Sequence, residues 1–353
     1  MWTDGVDGVF AVLAVMTGIF TIVTTEILPI CLLTSIAADF SITEGTAGLT
    51  MTMPGLLAAV SAPLVTVSTA AVDRRKMLCA LVLLLTLANI LAAAAPAYWV
   101  VVISRVLVGI TIGGFWSIGA GLAARLVPPE AVPRATSVIF AAVPLGSVLG
   151  VPMGTFIGDF TGWRTAFVVM AVLSGGVFVA LMVALPPLPP VDVTRLSVLR
   201  GALGSSRTAL SVTFLVVLAH FGAYTYVRPF LEQVTQVDAG MITLLLLAYG
   251  AAGVIGNFAA GAMIAHRLRP TFTTSTAMIA GATILLPALG SWDIGAAALL
   301  MIWGVAYGAV PVCSQTWFAK SAPEAPEAAS VLFTGSFQAT IGIGALQIMK
   351  GQG

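Results

Sequence analysis

Glu26 stands a little past the middle of an apolar stretch running from Val9 to Leu33, in the setting Thr24-Thr25-Glu26-Ile27-Leu28-Pro29. It is the only acidic residue in that stretch. A carboxylate at membrane depth is costly, and chains keep one where it faces a polar cavity, often to bind protons or substrate. The plainer alternative is a buried glutamate that only pairs with a neighbour. The hydroxyls of Thr17, Thr21, Thr24 and Thr25 lie within a few turns and suit a carboxyl that gains and loses a proton.

Other residues share that chemistry. Arg105 leads a row with Gly109, Gly113, Ser117 and Gly121, spaced four apart and so along one slowly drifting helix face. The small residues let another backbone approach, and Arg105 must find an acceptor inside the bundle. Gly146, Gly150, Gly154 and Gly158 repeat the spacing, with Pro144 and Pro152 beside them. Proline removes a backbone donor and favours a kink, so this helix is a candidate moving part; static packing is the alternative. His220 and Tyr224 are four apart and share a face. With Thr25, Trp116 and Trp303 they are candidates to line a substrate cavity, where rings stack on planar or sugar-like solutes. For any single ring, packing against neighbours is the plainer role. No nucleophile triad, metal-ligand cluster or phosphate-binding loop is present, so neither enzyme chemistry, cofactor nor metal is expected.

The elements that must position these groups are membrane helices. Of 353 residues, 59% are hydrophobic and 8% charged, with a mean hydropathy of +1.06. A soluble fold cannot hide that much apolar surface. The net charge of +1 gives no argument for a nucleic-acid partner. Three cysteines, an odd number, exclude a full disulfide framework. The N-terminal residues carry Asp4 and Asp7 but no basic residue, so no cleaved signal is expected. Eleven helices are expected near 9–35, 47–71, 77–95, 98–125, 135–158, 163–185, 208–231, 239–264, 271–289, 294–318 and 326–349, each about the length that crosses a hydrocarbon core.

Alternate breaks hold Arg74, Arg75, Lys76, Arg125, Arg134, Arg195, Arg200, Arg207, Arg267, Arg269 and Lys320, which predicts a cytoplasmic N-terminus. Trp99, Trp163 and Trp292 fall at the opposite boundary, where an aromatic belt is expected. The proline-rich, then arginine-bearing break of 187–207 is expected to be a cytoplasmic linker between residues 1–186, a six-helix bundle, and residues 208–353, a second bundle. Basic turns at Asp73-Arg74-Arg75-Lys76 and His266-Arg267-Leu268-Arg269 sit at matching places in the two parts, a pattern of many secondary transporters.

Thr25-Glu26-Ile27-Leu28-Pro29, Asp73-Arg74-Arg75, Arg105 to Ser117, Leu126-Val127-Pro128-Pro129, Gly150-Val151-Pro152-Met153-Gly154, Gly162-Trp163-Arg164 and Tyr224 to Pro229 together resemble the major facilitator superfamily. The closest likeness is to bacterial drug/proton antiporters, in the branch of purine-ribonucleoside and sugar (arabinose-type) exporters. The resemblance covers nearly the whole chain. It implies two pseudo-symmetric six-helix bundles rocking about a central site. It also implies roles for Asp73, Arg74 and Arg75 in a cytoplasmic gate, Arg105 in proton coupling, and Gly146, Gly150, Pro152 and Gly154 in an antiporter motif. The gate motif departs from the usual pattern at Thr69 and Lys76, and Val151 separates Gly150 from Pro152. The family has twelve helices, whereas eleven are expected before Gly353; a twelfth-helix-less C-terminal bundle is the resulting expectation.

These readings converge on a multi-pass protein of the bacterial inner membrane, monomeric in the bilayer, exporting a small polar solute in exchange for protons, with Glu26 and Arg105 as the coupling pair. A broad drug exporter, a proton-coupled importer, and a non-transporting remnant or sensor are the alternatives.

Overall fold

The computed structural model describes residues 5–190, 196–224 and 226–351, without side-chain surroundings beyond Thr340 or at a few positions, Pro152 among them. Its long elements are all helices: α1 (Gly5–Phe40), α2 (Leu49–Ser68), α3 (Arg74–Ala93), α4 (Tyr98–Gly119), α5 (Val132–Thr161), α6 (Trp163–Ala184), α7 (Arg207–Tyr224), α8 (Ala239–Leu289), α9 (Asp293–Ser321) and α10 (Pro326–Gly351). Among the described residues, nine helices are long and apolar enough to cross a membrane.

One of the nine accounts for two expected helices. The apolar part of α8, Gly240–Leu289, has 50 residues. At 1.5 Å per residue it is more than twice as long as a bilayer core is thick. It bends at Arg267, whose φ of −133° and ψ of 44° are not helical. The predicted segments 239–264 and 271–289 are its two arms. One residue suffices for the break because Pro270 opens the second arm, where its missing N–H leaves nothing unsatisfied.

Close packing follows the glycines. α2 lies on α4, where a Cβ at Gly109 would meet Leu57 Cβ at 2.6 Å and the Pro54 carbonyl at 2.8 Å. α1 lies on α5, and α3 on α6. The later helices meet the earlier ones through α10 on α2 and α4, and through α8 on α5.

Between α5 and α6, Gly162 has a φ of +88°, a conformation that side-chain-bearing residues rarely adopt. Next to it, Trp163 is buried against Phe40 and Phe167. Trp99 and Trp292 are both more than half exposed, whereas Trp163 is buried and cannot serve as the expected belt residue. The reason is Arg164: it pairs with Asp39 on α1 at 2.5 Å and stacks over the Trp163 ring at 4.4 Å, drawing the indole into the core.

Candidate functional site

Two helix prolines explain where Arg105 points. Pro29 in α1 has no N–H for the carbonyl of Thr25, four residues earlier, and Pro54 in α2 has none for Thr50. Arg105 of α4 is fully buried and supplies both donors. Its Nε lies 3.0 Å from the Thr50 oxygen, and its Nη2 lies 2.9 Å from the Thr25 oxygen and 3.2 Å from that of Glu26. The planar guanidinium presents its donors as a rigid fork, so one side chain joins three helices at two proline breaks. Its Nη1 has no partner among the described residues.

The Glu26 side chain starts from that same break. It is half-buried, and it lies close enough to Arg105 for their charges to attract. Gln338 of α10 lies close enough to its carboxyl to interact with it. Thr25 is fully buried; its hydroxyl accepts from the Asn89 amide of α3 at 3.4 Å. The Asn89 and Gln338 amide oxygens and the Thr24 hydroxyl are buried without partners among the described residues. The result is a titratable carboxyl in a polar pocket of donors and free acceptors, inside an apolar bundle.

α5 presses on this stretch of α1. A Cβ at Gly146 would meet Val23 at 2.8 Å, at Gly150 Thr24 at 2.9 Å, and at Gly154 Leu28 at 2.5 Å. The glycine row thus brackets Thr24 to Leu28, with Glu26 on the same turns. The side chain of Pro152 lies outside the described residues. On its other side α5 meets α8, where Asn257 donates to the Ser137 carbonyl at 2.7 Å and is itself buried.

At the basic end, Asp73 caps α3 by accepting from the backbone of Arg75 at 2.9 Å and Lys76 at 3.3 Å. It also accepts from Leu188 N at 2.8 Å, while Arg74 N donates to Leu188 O at 2.8 Å. Arg75 donates to the Met182 carbonyl. The chain leaving α6 is therefore strapped to the α2–α3 turn. Residues 191–195 of the expected 187–207 linker lie outside the described residues; a short helix, Leu196–Ser205, follows. Arg74 has no exposed surface and makes a two-pronged pair with Glu327 of α10, Nε to Oε1 at 2.7 Å and Nη2 to Oε2 at 2.5 Å. Its Nη1 holds the carbonyl of Thr69 at 2.8 Å. Nearby, partial burial lowers the pKa of Arg125, with Glu327 opposing that shift. Arg125 also donates to the Pro189 carbonyl at 2.7 Å.

A second cluster forms among α7, α8 and α9. His220 and Tyr224 do share a face, and Trp303 joins them: its indole N–H donates to His220 Nδ1 at 3.0 Å, so that nitrogen carries no proton. Tyr249 and Tyr307 complete the set. Trp116 lies elsewhere, packing on Phe140, which in turn meets Phe333 of α10.

Glu327, Gln338, Asn89, Tyr249 and Tyr307 were not foreseen. Glu327 and the two amides look ordinary in the sequence, because their partners are on distant helices. Counting proline-orphaned carbonyls would have linked Arg105 to Thr25 and Thr50, since each threonine precedes its proline by four residues.

A family profile described as the Major Facilitator Superfamily matches residues 9–345. The chain is 33% identical over 350 residues to "Transcription regulatory protein OpdE" of Pseudomonas aeruginosa, covering 94% of this chain and 84% of that one. It is 31% identical over 328 residues to "Purine ribonucleoside efflux pump NepI" of Escherichia coli (strain K12), covering 91% and 82%. Among solved structures, the human organic anion transporter MFSD10 (TETRAN) superposes with a TM-score of 0.75 at 15% identity, covering 98% of this chain and 95% of that one.

Proposed function

Because this chain belongs to the Major Facilitator Superfamily, a family of secondary transporters and not of enzymes, we propose that it exports small polar solutes of the nucleoside class in exchange for protons. The observation that carries the reading is the surroundings of Glu26. Its carboxyl lies within electrostatic reach of Arg105 and close to Gln338 of α10. When charged, Glu26 attracts Arg105; when protonated, it releases that attraction and can hydrogen-bond to the Gln338 amide oxygen, which is buried without a partner among the described residues. A proton thus alters the interaction between Glu26 of α1 and Gln338 of α10, one early and one late helix. The purine ribonucleoside pumps among the relatives support the solute class.

In this proposal residues 1–186 and 208–353 act as two rocking bundles, with 187–207 between them, in a monomer whose N-terminus faces the bacterial cytoplasm. The basic end, bearing Arg74 and Glu327, is then the cytoplasmic gate, and that ion pair is its latch in this reading. Glu26 and Arg105 couple the proton. The glycine seam of α5 lets α1 slide. One charge moving inward gains about 2.3 kcal/mol per 100 mV, which supplies the work of export.

The test uses inverted membrane vesicles containing the full chain. Acidifying their interior should drive accumulation of radiolabelled inosine, and a protonophore should abolish it. No gradient-dependent accumulation of any nucleoside, sugar or drug in a panel would refute the reading. Such a result would favour a membrane-resident regulator, the second reading, which the name of the Pseudomonas relative supports.

A further inference from the structure

The cluster on α7, α8 and α9 is a slot with an occupant. The imidazole of His220 lies between two nearly parallel rings, Tyr307 at 3.3 Å and 5° and Tyr224 at 5.5 Å and 19° between centroids. Trp303 closes the edge at 83°, and its N–H points at the unprotonated Nδ1 of the imidazole. Tyr249 stands against both Tyr224 and Trp303, at 5.1 and 6.1 Å. Its ring is more than nine-tenths buried, yet its hydroxyl has no hydrogen-bond partner among the described residues. The phenols of Tyr224 and Tyr307 lie close enough to it to interact electrostatically. A buried hydroxyl without a partner is costly, and natural interiors hold few of them.

The occupant shows what the slot accepts. It is flat, aromatic and uncharged on the nitrogen that faces Trp303. A purine presents the same features through its five-membered ring, which carries an acceptor nitrogen in the ring plane. Its larger face would stack on tyrosines, a contact that sequence-tolerant base binders use repeatedly.

We propose that Tyr224, Tyr249, Trp303 and Tyr307 form a base-recognition subsite, in which a purine ring takes the place of the His220 imidazole and the Tyr249 hydroxyl gains its partner from the ligand. This rests on the transporter reading above and adds to it that the base, not the sugar, is the recognised part. Tyr249 and Tyr307 become specificity residues, and Trp303 Nε1 hands its hydrogen bond from His220 to the ligand.

The experiment measures radiolabelled inosine binding to the purified full chain, with hypoxanthine and D-ribose as competitors. Hypoxanthine should displace inosine, and ribose should not. Tyr249→Phe should weaken inosine binding about 5- to 10-fold, the worth of one hydrogen bond. It should not lower the thermal midpoint, because only an unpartnered hydroxyl is removed. Trp303→Phe should weaken binding similarly. Parent-like affinity in Tyr249→Phe, or competition by ribose as strong as by hypoxanthine, overturns the subsite. If the parent still pumps inosine in vesicles, only the subsite falls. If the parent neither binds nor pumps inosine, the nucleoside reading falls with it.

Discussion

The guanidinium of Arg105 lies 2.9 Å from the carbonyl oxygen of Thr25, the acceptor that Pro29 leaves without a helical donor. A second arm of the same group lies 3.0 Å from Thr50, orphaned in the same way by Pro54. Arg105 is therefore more than a charge near Glu26. It replaces missing hydrogen bonds of two helices, so a change in the bend of either one would change its contacts.

A thermodynamic cycle tests that role. Arg105→Ala strands two buried carbonyls, each at about 1–3 kcal/mol. Pro29→Ala restores a donor for Thr25 and should recover part of that loss. The two substitutions should be non-additive by about 1 kcal/mol in thermal unfolding of the purified chain. Strict additivity would mean that Arg105 does not serve the proline-orphaned carbonyl.

If the Arg74–Glu327 pair is the proposed gate, its removal should shift the population toward an open basic end. Arg74 is fully buried on Glu327, and removing one partner of such a pair leaves a buried charge uncompensated, at about 3–5 kcal/mol. Glu327→Ala should therefore open the basic end. A cysteine introduced at Ala329, which is buried two residues on, should be protected in the parent and react quickly with a thiol reagent in the Glu327→Ala background. Equal protection in both would deny the pair a gating role.

The seam between α1 and α5 is steric. A Cβ at Gly150 already comes within 2.9 Å of Thr24, so Gly150→Leu should force the backbones apart and reduce transport by roughly tenfold or more, as overpacking of a close contact does. Val172→Leu is the control, at a side chain that is 72% exposed. Similar transport by both variants would show that the seam tolerates a side chain.

Orientation is checked by labelling. A cysteine at Gly201, exposed on the short helix after α6, should react with an impermeant reagent in inverted vesicles and stay silent in intact spheroplasts. A cysteine at Ser291, exposed at the other end, should do the reverse. The opposite pattern would invert the assigned topology.

Much of this was legible along the chain. Apolar runs mark helices, and four-residue glycine spacing marks close contacts, because both are local properties. Glu26 and Arg105 stand out because charge is rare at that depth. What was not legible depends on the approach of distant segments. Glu327 lies at the start of α10 and reads as an ordinary boundary acid until α3 is brought against it. Trp163 reads as a belt residue until the Arg164–Asp39 pair turns it inward. Trp116 and Trp303 are alike in the sequence, yet one packs with Phe140 and the other completes the His220 cluster. The two arms of α8 read as separate helices because hydropathy falls at His266–Arg269, while the backbone needs only one non-helical residue there.

The central claim is that Glu26 carries the exchanged proton. Glu26→Gln keeps the shape and the capacity to hydrogen-bond Gln338 but cannot titrate. The measurement is inosine accumulation in inverted vesicles with an acidic interior, paired with gradient-free exchange of labelled for unlabelled inosine. The account predicts that the variant inserts normally and still exchanges, but accumulates nothing above its equilibrium level at any imposed gradient. Accumulation by Glu26→Gln at the parent rate would contradict it.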